Sequence, residues 1–253
     1  ETSRQGNFFG ILGMIIAISV TFFSIGNFSS GFIFAQSERH VMHVFYHMNV
    51  TNPAGVISAL DKFHASDCGK KFPGDLGLMS ETLNGASDST HFIIASYMTR
   101  EDFQNAGALT QSCPEAATML GSLMNSASPV SDLAIVPIIE ANDWTIDSAF
   151  TKYDMRMSLE NEEEYAEAWS ELMESNVESG SVTSSYGLNR VLYGNDEFTH
   201  FVYIGASDFV TLTDGATELT SSKAFEKFSR KVKGMREVLN TSLIIPVKAW
   251  PRR

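Results

Sequence analysis

The chain carries one phrase twice: Leu83-Asn84-Gly85-Ala86-Ser87-Asp88-Ser89-Thr90-His91-Phe92, and then Leu192-Tyr193-Gly194-Asn195-Asp196-Glu197-Phe198-Thr199-His200-Phe201. Five of the ten positions are identical and the copies lie 109 residues apart. The same offset carries Ile135-Val136-Pro137-Ile138 onto Ile244-Ile245-Pro246-Val247 without a gap. A constant offset shared by separate phrases marks a duplicated unit. Two copies make a tandem pair rather than a solenoid, and 253 residues hold two units of roughly 100 residues each.

Each phrase reads as the turn of a hairpin. Leu76–Leu83 and Tyr186–Tyr193 run into it, the turn falls at Gly85 and Gly194, and His91–Met98 and His200–Ser207 leave it. Upstream, His43–Val50 and Lys152–Leu159 alternate with period two. Val44, Tyr46, Met48 and Val50, with Tyr153, Met155, Met157 and Leu159, form a core face, whereas His43, Phe45, His47, Lys152, Asp154 and Arg156 form the other. A helix follows each strand, begun by Asn52-Pro53 in one copy and by Asn161 with Glu162 to Glu164 in the other. Their stripes are Val56, Leu60 and Phe63, and Tyr165, Trp169 and Leu172. Beyond the hairpin, a loop of about a dozen residues leads to a second helix. Its apolar positions are Ala116, Met119, Leu120 and Leu123 in the first copy, matched by Phe225, Phe228 and Val232 in the second. Leu133–Ile139 and Leu243–Ala249 close the copies as strands, and Pro137 and Pro246 require them to be edges or bulged there.

The element order is β-α-β-β-α-β twice, the ferredoxin-like unit, in an α+β chain. The divisions are 1–40 for an N-terminal segment, 41–140 for repeat one, 141–149 for a linker and 150–253 for repeat two. Helices cover only one face of such a sheet. The third strands are nevertheless apolar on both faces (Phe92 and Ile94 against Ile93 and Ala95; Phe201 and Tyr203 against Val202 and Ile204), so the two repeats are expected to pack sheet to sheet. This order and face pattern, over about 210 residues, resembles the dimeric α+β-barrel superfamily with its dimer fused into one chain. The resemblance has no signature motif and implies a fold rather than an activity.

From Phe8 to Ile25 the chain carries no charge. Eighteen residues of helix rise about 27 Å, close to the thickness of a bilayer core. The segment reads as a membrane anchor, with a cleaved secretory signal and a buried helix as rivals. Arg4 on its near side favours delivery of the tandem unit to the exported side. Glu1-Thr2-Ser3-Arg4-Gln5-Gly6-Asn7, Phe9-Gly10-Ile11 and Gly13-Met14 resemble an early loop and membrane helix of the proton-translocating nicotinamide nucleotide transhydrogenase β subunit. That resemblance ends near residue 24 and implies a membrane helix, not hydride transfer. It leaves open that a transhydrogenase fragment is joined to an unrelated domain.

Thirty acids against eighteen bases give a net charge of −12, which argues against nucleic-acid partners. Cys68 falls just past the first helix and Cys113 just before the second. The two ends are neighbours in this topology, so the pair is either a disulfide or two free thiols. If the sheets face each other, His43, His47, Lys152, Asp154 and Arg156, joined by Arg190, line the space between them. Ionisable groups so placed are candidate site residues or paired charges at a barrel mouth. His91 and His200, at the start of equivalent strands, read as turn-fixing residues. His43 and His47 lie about 13 Å apart along a strand and cannot share an ion, and no other His, Cys or carboxylate spacing matches a metal site, so no metal is expected; without a Gly-rich phosphate loop, no other cofactor is expected either. The leading functional expectation is a tandem domain, exported or membrane-tethered, that binds a small, partly apolar ligand or another protein. The alternative is a cofactor-independent or haem-linked monooxygenase-like enzyme with His47, Asp154 and Arg156 as working groups.

Overall fold

The computed structural model describes residues 40–253, apart from 86, 195 and 196. The segment over 8–25 and the phrase resembling transhydrogenase lie outside the described residues. Among those residues no helix is long and apolar enough to cross a membrane.

Period-two patterning becomes eight antiparallel strands: β1 (Met42–Val50), β2 (Asp75–Leu83), β3 (His91–Tyr97), β4 (Ala127–Ala141), β5 (Ala149–Met157), β6 (Tyr186–Tyr193), β7 (His200–Ala206) and β8 (Arg236–Trp250). They close into one barrel in the order β1-β3-β2-β8-β5-β7-β6-β4. The expected pair of stacked sheets is thus a single closed sheet. The cause is the length of the last strands, 15 residues each. One end of β4 pairs with β1 of its own repeat, and the other crosses to β6 (Ala141 opposite Tyr186). In the same way β8 pairs with β5 and crosses to β2 (Trp250 opposite Leu76). Closure removes the free edge that Pro137 and Pro246 left open as an option; instead the ladder shifts register beside both prolines.

The helices are α1 (Pro53–Ala65), α2 (Arg100–Ser112), α3 (Pro114–Met124), α4 (Glu162–Ser179), α5 (Phe209–Ser221) and α6 (Lys223–Lys231). Each repeat therefore has three helices, where the sequence suggested two helices and a loop. Both of the segments read as loops are helical and well capped. Thr99 and Asp102 form a reciprocal box at the start of α2, and Asp208 accepts from Thr211 N at 2.8 Å at the start of α5. Cys68 and Cys113 are disulfide-bonded with their Cα atoms 6.3 Å apart, joining the end of α1 to the junction of α2 and α3.

Apolar side chains form three main bodies. One lies under α1–α3 in repeat one, one under α4–α6 in repeat two, and one inside the barrel. The offset of 109 holds for the helices but not for the first strands. Val44 pairs with Ala95 and Ala134, whereas Thr151 pairs with Ile204 and Leu243, so β1 and β5 correspond at an offset of 107. The two extra residues of repeat two are taken up by the turn of 3₁₀ helix Leu159–Asn161. A slip of two preserves the faces of a strand, so the two sets were legible despite it, except that Leu159, nominated for the core face, lies past the end of β5 in that turn and is exposed.

Candidate functional site

The inward faces of β1 and β5 supply His43, Phe45 and His47 against Phe150, Lys152 and Asp154, all buried. Phe45 stacks on Phe92 at 4.9 Å between centroids and approaches Phe201 at 5.7 Å, so aromatic rings occupy much of the barrel. His47 Nδ1 lies 3.1 Å from Glu81 Oε2, which also accepts from the Ser89 hydroxyl. Burial works to raise the Glu81 pKa, but the hydrogen bonds from His47 and Ser89 and the charge of Lys152 hold it below the usual carboxylate range. Lys152 Nζ sits 2.5 Å from Asp154 Oδ1 and over the rings of Phe198 and Phe201, at 4.9 and 5.0 Å from their centroids. Between these groups remains a cavity of about 70 Å³ that touches His43, Trp144, Lys152 and Tyr203.

The barrel does not enclose every residue nominated for it. Arg156 is exposed at the rim and donates to Glu197 O at 2.7 Å. Arg190 follows the inward-facing Asn189 and so points outward, donating to both oxygens of Glu162 at 3.1 Å. His91 Nδ1 lies 3.0 Å from the Thr90 hydroxyl, and His200 Nδ1 2.9 Å from that of Thr199. His200 Nε2 also meets Glu162 Oε2 at 3.0 Å.

A larger space lies on the other side of the repeat-one sheet. Between β1–β4 and α1–α3 is a cavity of about 130 Å³, walled by Leu60, Phe63, Phe103, Met119 and Leu123 among others. Tyr46, Tyr97, Thr110 and Asp132 bring its polar atoms. Burial raises the Asp132 pKa, and burial with the Asp132 charge raises that of Tyr46. Position for position, repeat two replaces Leu60, Thr110 and Met119 with Trp169, Leu219 and Phe228. There Phe228 packs against Tyr165 at 5.8 Å and Trp169 at 6.0 Å, and the equivalent layer keeps only a small cavity of about 20 Å³, beside Leu212 and Leu219. The sequence displayed these larger residues, yet only the fold shows that they take up most of the space their smaller counterparts leave open.

A third cluster sits at one end of the barrel. His40, just ahead of β1, places Nε2 3.2 Å from Asp75 and Nδ1 3.5 Å from Glu140. Burial lowers the His40 pKa, but the hydrogen bonds and charges of Asp75 and Glu140 outweigh it and hold it at about 9. His43 is buried beside it, its pKa pushed down by burial to about 4, with Nδ1 2.7 Å from the Ser96 hydroxyl. His40, Asp75 and Glu140 were not singled out from the sequence. His40 precedes the regular strand, where alternation gives no face, and Glu140 comes from 100 residues away (140 − 40).

No family model matches this chain, and no curated protein matches it. Solved structures do. A "putative monooxygenase" from Lactobacillus acidophilus superposes with a TM-score of 0.59 at 10% identity, over 85% of this chain and 97% of that one. A "putative monooxygenase" from Fusobacterium nucleatum gives 0.57 at 16% identity, over 83% and 94%. An anthrone oxidase-like protein gives 0.56 at 9% identity, over 84% and 93%. At these identities the likeness is one of fold: a mixed α+β chain in the manner of the dimeric α+β-barrel proteins, with both halves of the barrel here in one chain.

Proposed function

We propose that this is a binding protein for a small, largely apolar molecule with one polar group, held in the helix-side cavity of repeat one. The asymmetry between the copies carries the reading. A void of about 130 Å³ costs about 3 kcal/mol at ~24 cal/mol per Å³. The other copy shows that the same scaffold accepts aromatic fillers there. Retaining the void therefore points to an occupant. Its volume is near that of the engineered cavity of roughly 150 Å³ that takes up benzene, so the occupant has about one ring or a short aliphatic chain. Asp132 and Tyr46 would receive its polar end.

The test transplants the residues of repeat two. Isothermal titration of the wild type with p-cresol and toluene is expected to show one site, with p-cresol the tighter ligand. Leu60→Trp/Met119→Phe and, separately, Thr110→Leu are expected to weaken p-cresol more than tenfold without lowering Tm. Unchanged affinity in a folded variant would remove the cavity from the account.

The structural neighbours support a second reading, a cofactor-independent oxygenase acting in the same cavity. Asp132, its pKa raised by burial, would take a proton from a phenolic or enolic substrate. Oxygen uptake with such substrates, abolished in Asp132→Asn, would establish it. The oxygenase reading is drawn without haem: His47 borders this cavity but its Nδ1 is engaged by Glu81 at 3.1 Å, and Cys68 and Cys113 are bonded to each other. Export, through the apolar segment over 8–25, belongs to the same proposal. The Cys68–Cys113 bond supports it, because disulfides persist in oxidising compartments. Fractionation of cells producing the full chain tests it.

A further inference from the structure

The geometry points to a transition-metal site at the end of the barrel, built from His40, His43 and Glu140, independent of the helix-side cavity. One nitrogen from each imidazole and one Glu140 oxygen lie within 4.8 Å of one another. The His40 Nδ1 to Glu140 Oε1 distance is already 3.5 Å. Ligands bound at 2.0–2.1 Å in tetrahedral geometry stand about 3.4 Å apart, so modest ring rotations would close the set on an ion.

Three further observations point to a ligand rather than to a chance cluster. The Glu140 side chain is 9% exposed, and its Oε2 is buried without a hydrogen-bond partner. Its other oxygen accepts from Trp144 Nε1 at 3.1 Å, which orients the carboxylate. The Ser96 hydroxyl fixes His43 through Nδ1, the outer-sphere contact that sets a ligand tautomer, and leaves Nε2 for the metal. Two imidazoles and a carboxylate suit Zn²⁺, Fe²⁺ or Co²⁺ and do not suit Mg²⁺ or Ca²⁺. Asp75, 3.2 Å from the other nitrogen of His40, supports that ring from outside. Three protein ligands leave positions open. His43 and Trp144 both border the 70 Å³ cavity inside the barrel, so an open position there would face that space. The ion would tie the entry of β1 to the end of β4, where repeat one gives way to the linker.

The test uses the full chain, stripped with a chelator and titrated with Co²⁺. Expected are d–d absorption saturating at one equivalent, displacement by Zn²⁺ but not by Mg²⁺, and a Tm that rises with Zn²⁺ concentration. His43→Gln and Glu140→Gln should each weaken Co²⁺ binding at least tenfold. Should either variant fail to fold, X-ray absorption of the Zn²⁺-loaded wild type decides: two imidazoles and one carboxylate support the site. Absence of a saturable d–d band, a different ligand set, or unchanged affinity in folded variants would overturn it and leave His40 as a cation held between two carboxylates.

Discussion

Lys152 and Asp154 are both buried, and each supplies the other's counter-charge. Removing one partner of such a pair strands a charge in a medium that solvates it poorly. Lys152→Met is expected to cost about 3–5 kcal/mol, whereas Lys152→Met/Asp154→Leu should come close to the wild type or exceed it. Chemical denaturation of both variants measures the difference. Asp132 behaves in the opposite sense. Its folded pKa is raised by burial, so the native state binds its proton more readily than the unfolded chain does. The stability cost is therefore present at neutral pH and fades as pH falls through the raised value. Asp132→Asn should stabilise the protein at pH 7, and the gain should vanish near pH 4; thermal unfolding at the two pH values checks the sign. Single residues were legible in the sequence where alternation was regular, as for His43, His47, Lys152 and Asp154. They were not legible where the inward face runs out at the rim, as for Arg156, nor where a contact joins distant segments, as for Glu140.

Among the elements, the strands and the helices α1, α3, α4 and α6 could be read from periodicity, whereas α2 and α5 could not. The reason lies in what they bury. Only Ala106 and Gly107 of α2, and only Leu212 and Leu219 of α5, are buried, so the inner face of each helix is marked by few large apolar residues and is interrupted by glycine. What the sequence did offer was capping chemistry: Thr99 three residues before Asp102, and Asp208 three before Thr211. Helices held mainly by their ends depend on those ends. Asp208→Ala is expected to cost about 1 kcal/mol and to raise amide exchange within α5 first. The disulfide fastens the corresponding helices of repeat one, where α1 ends and α3 begins. Cys68→Ala/Cys113→Ala is expected to lose about 3–4 kcal/mol, and the wild type under reducing conditions should unfold at the same denaturant concentration as this variant.

At the scale of the molecule, duplication explains the architecture and divergence explains the candidate site. Two equal copies could have stacked as separate sheets. The crossing halves of β4 and β8 instead make each repeat complete the other, and residues 40–141 produced alone are expected to dimerise or aggregate through the ladder that β6 normally occupies. The repeated phrase revealed the copying, but the sequence could not show closure, because strand length beyond the period-two core carries little signal in β4 and β8. The copies then parted company in their helix layers, one filled with Trp169 and Phe228, the other kept open around Met119. A crystal of the protein pressurised with xenon tests this directly. Xenon density is expected between the repeat-one sheet and α1–α3, and none in the smaller space of the equivalent layer of repeat two; equal occupancy in both layers, or an empty first layer, would contradict the proposed divergence.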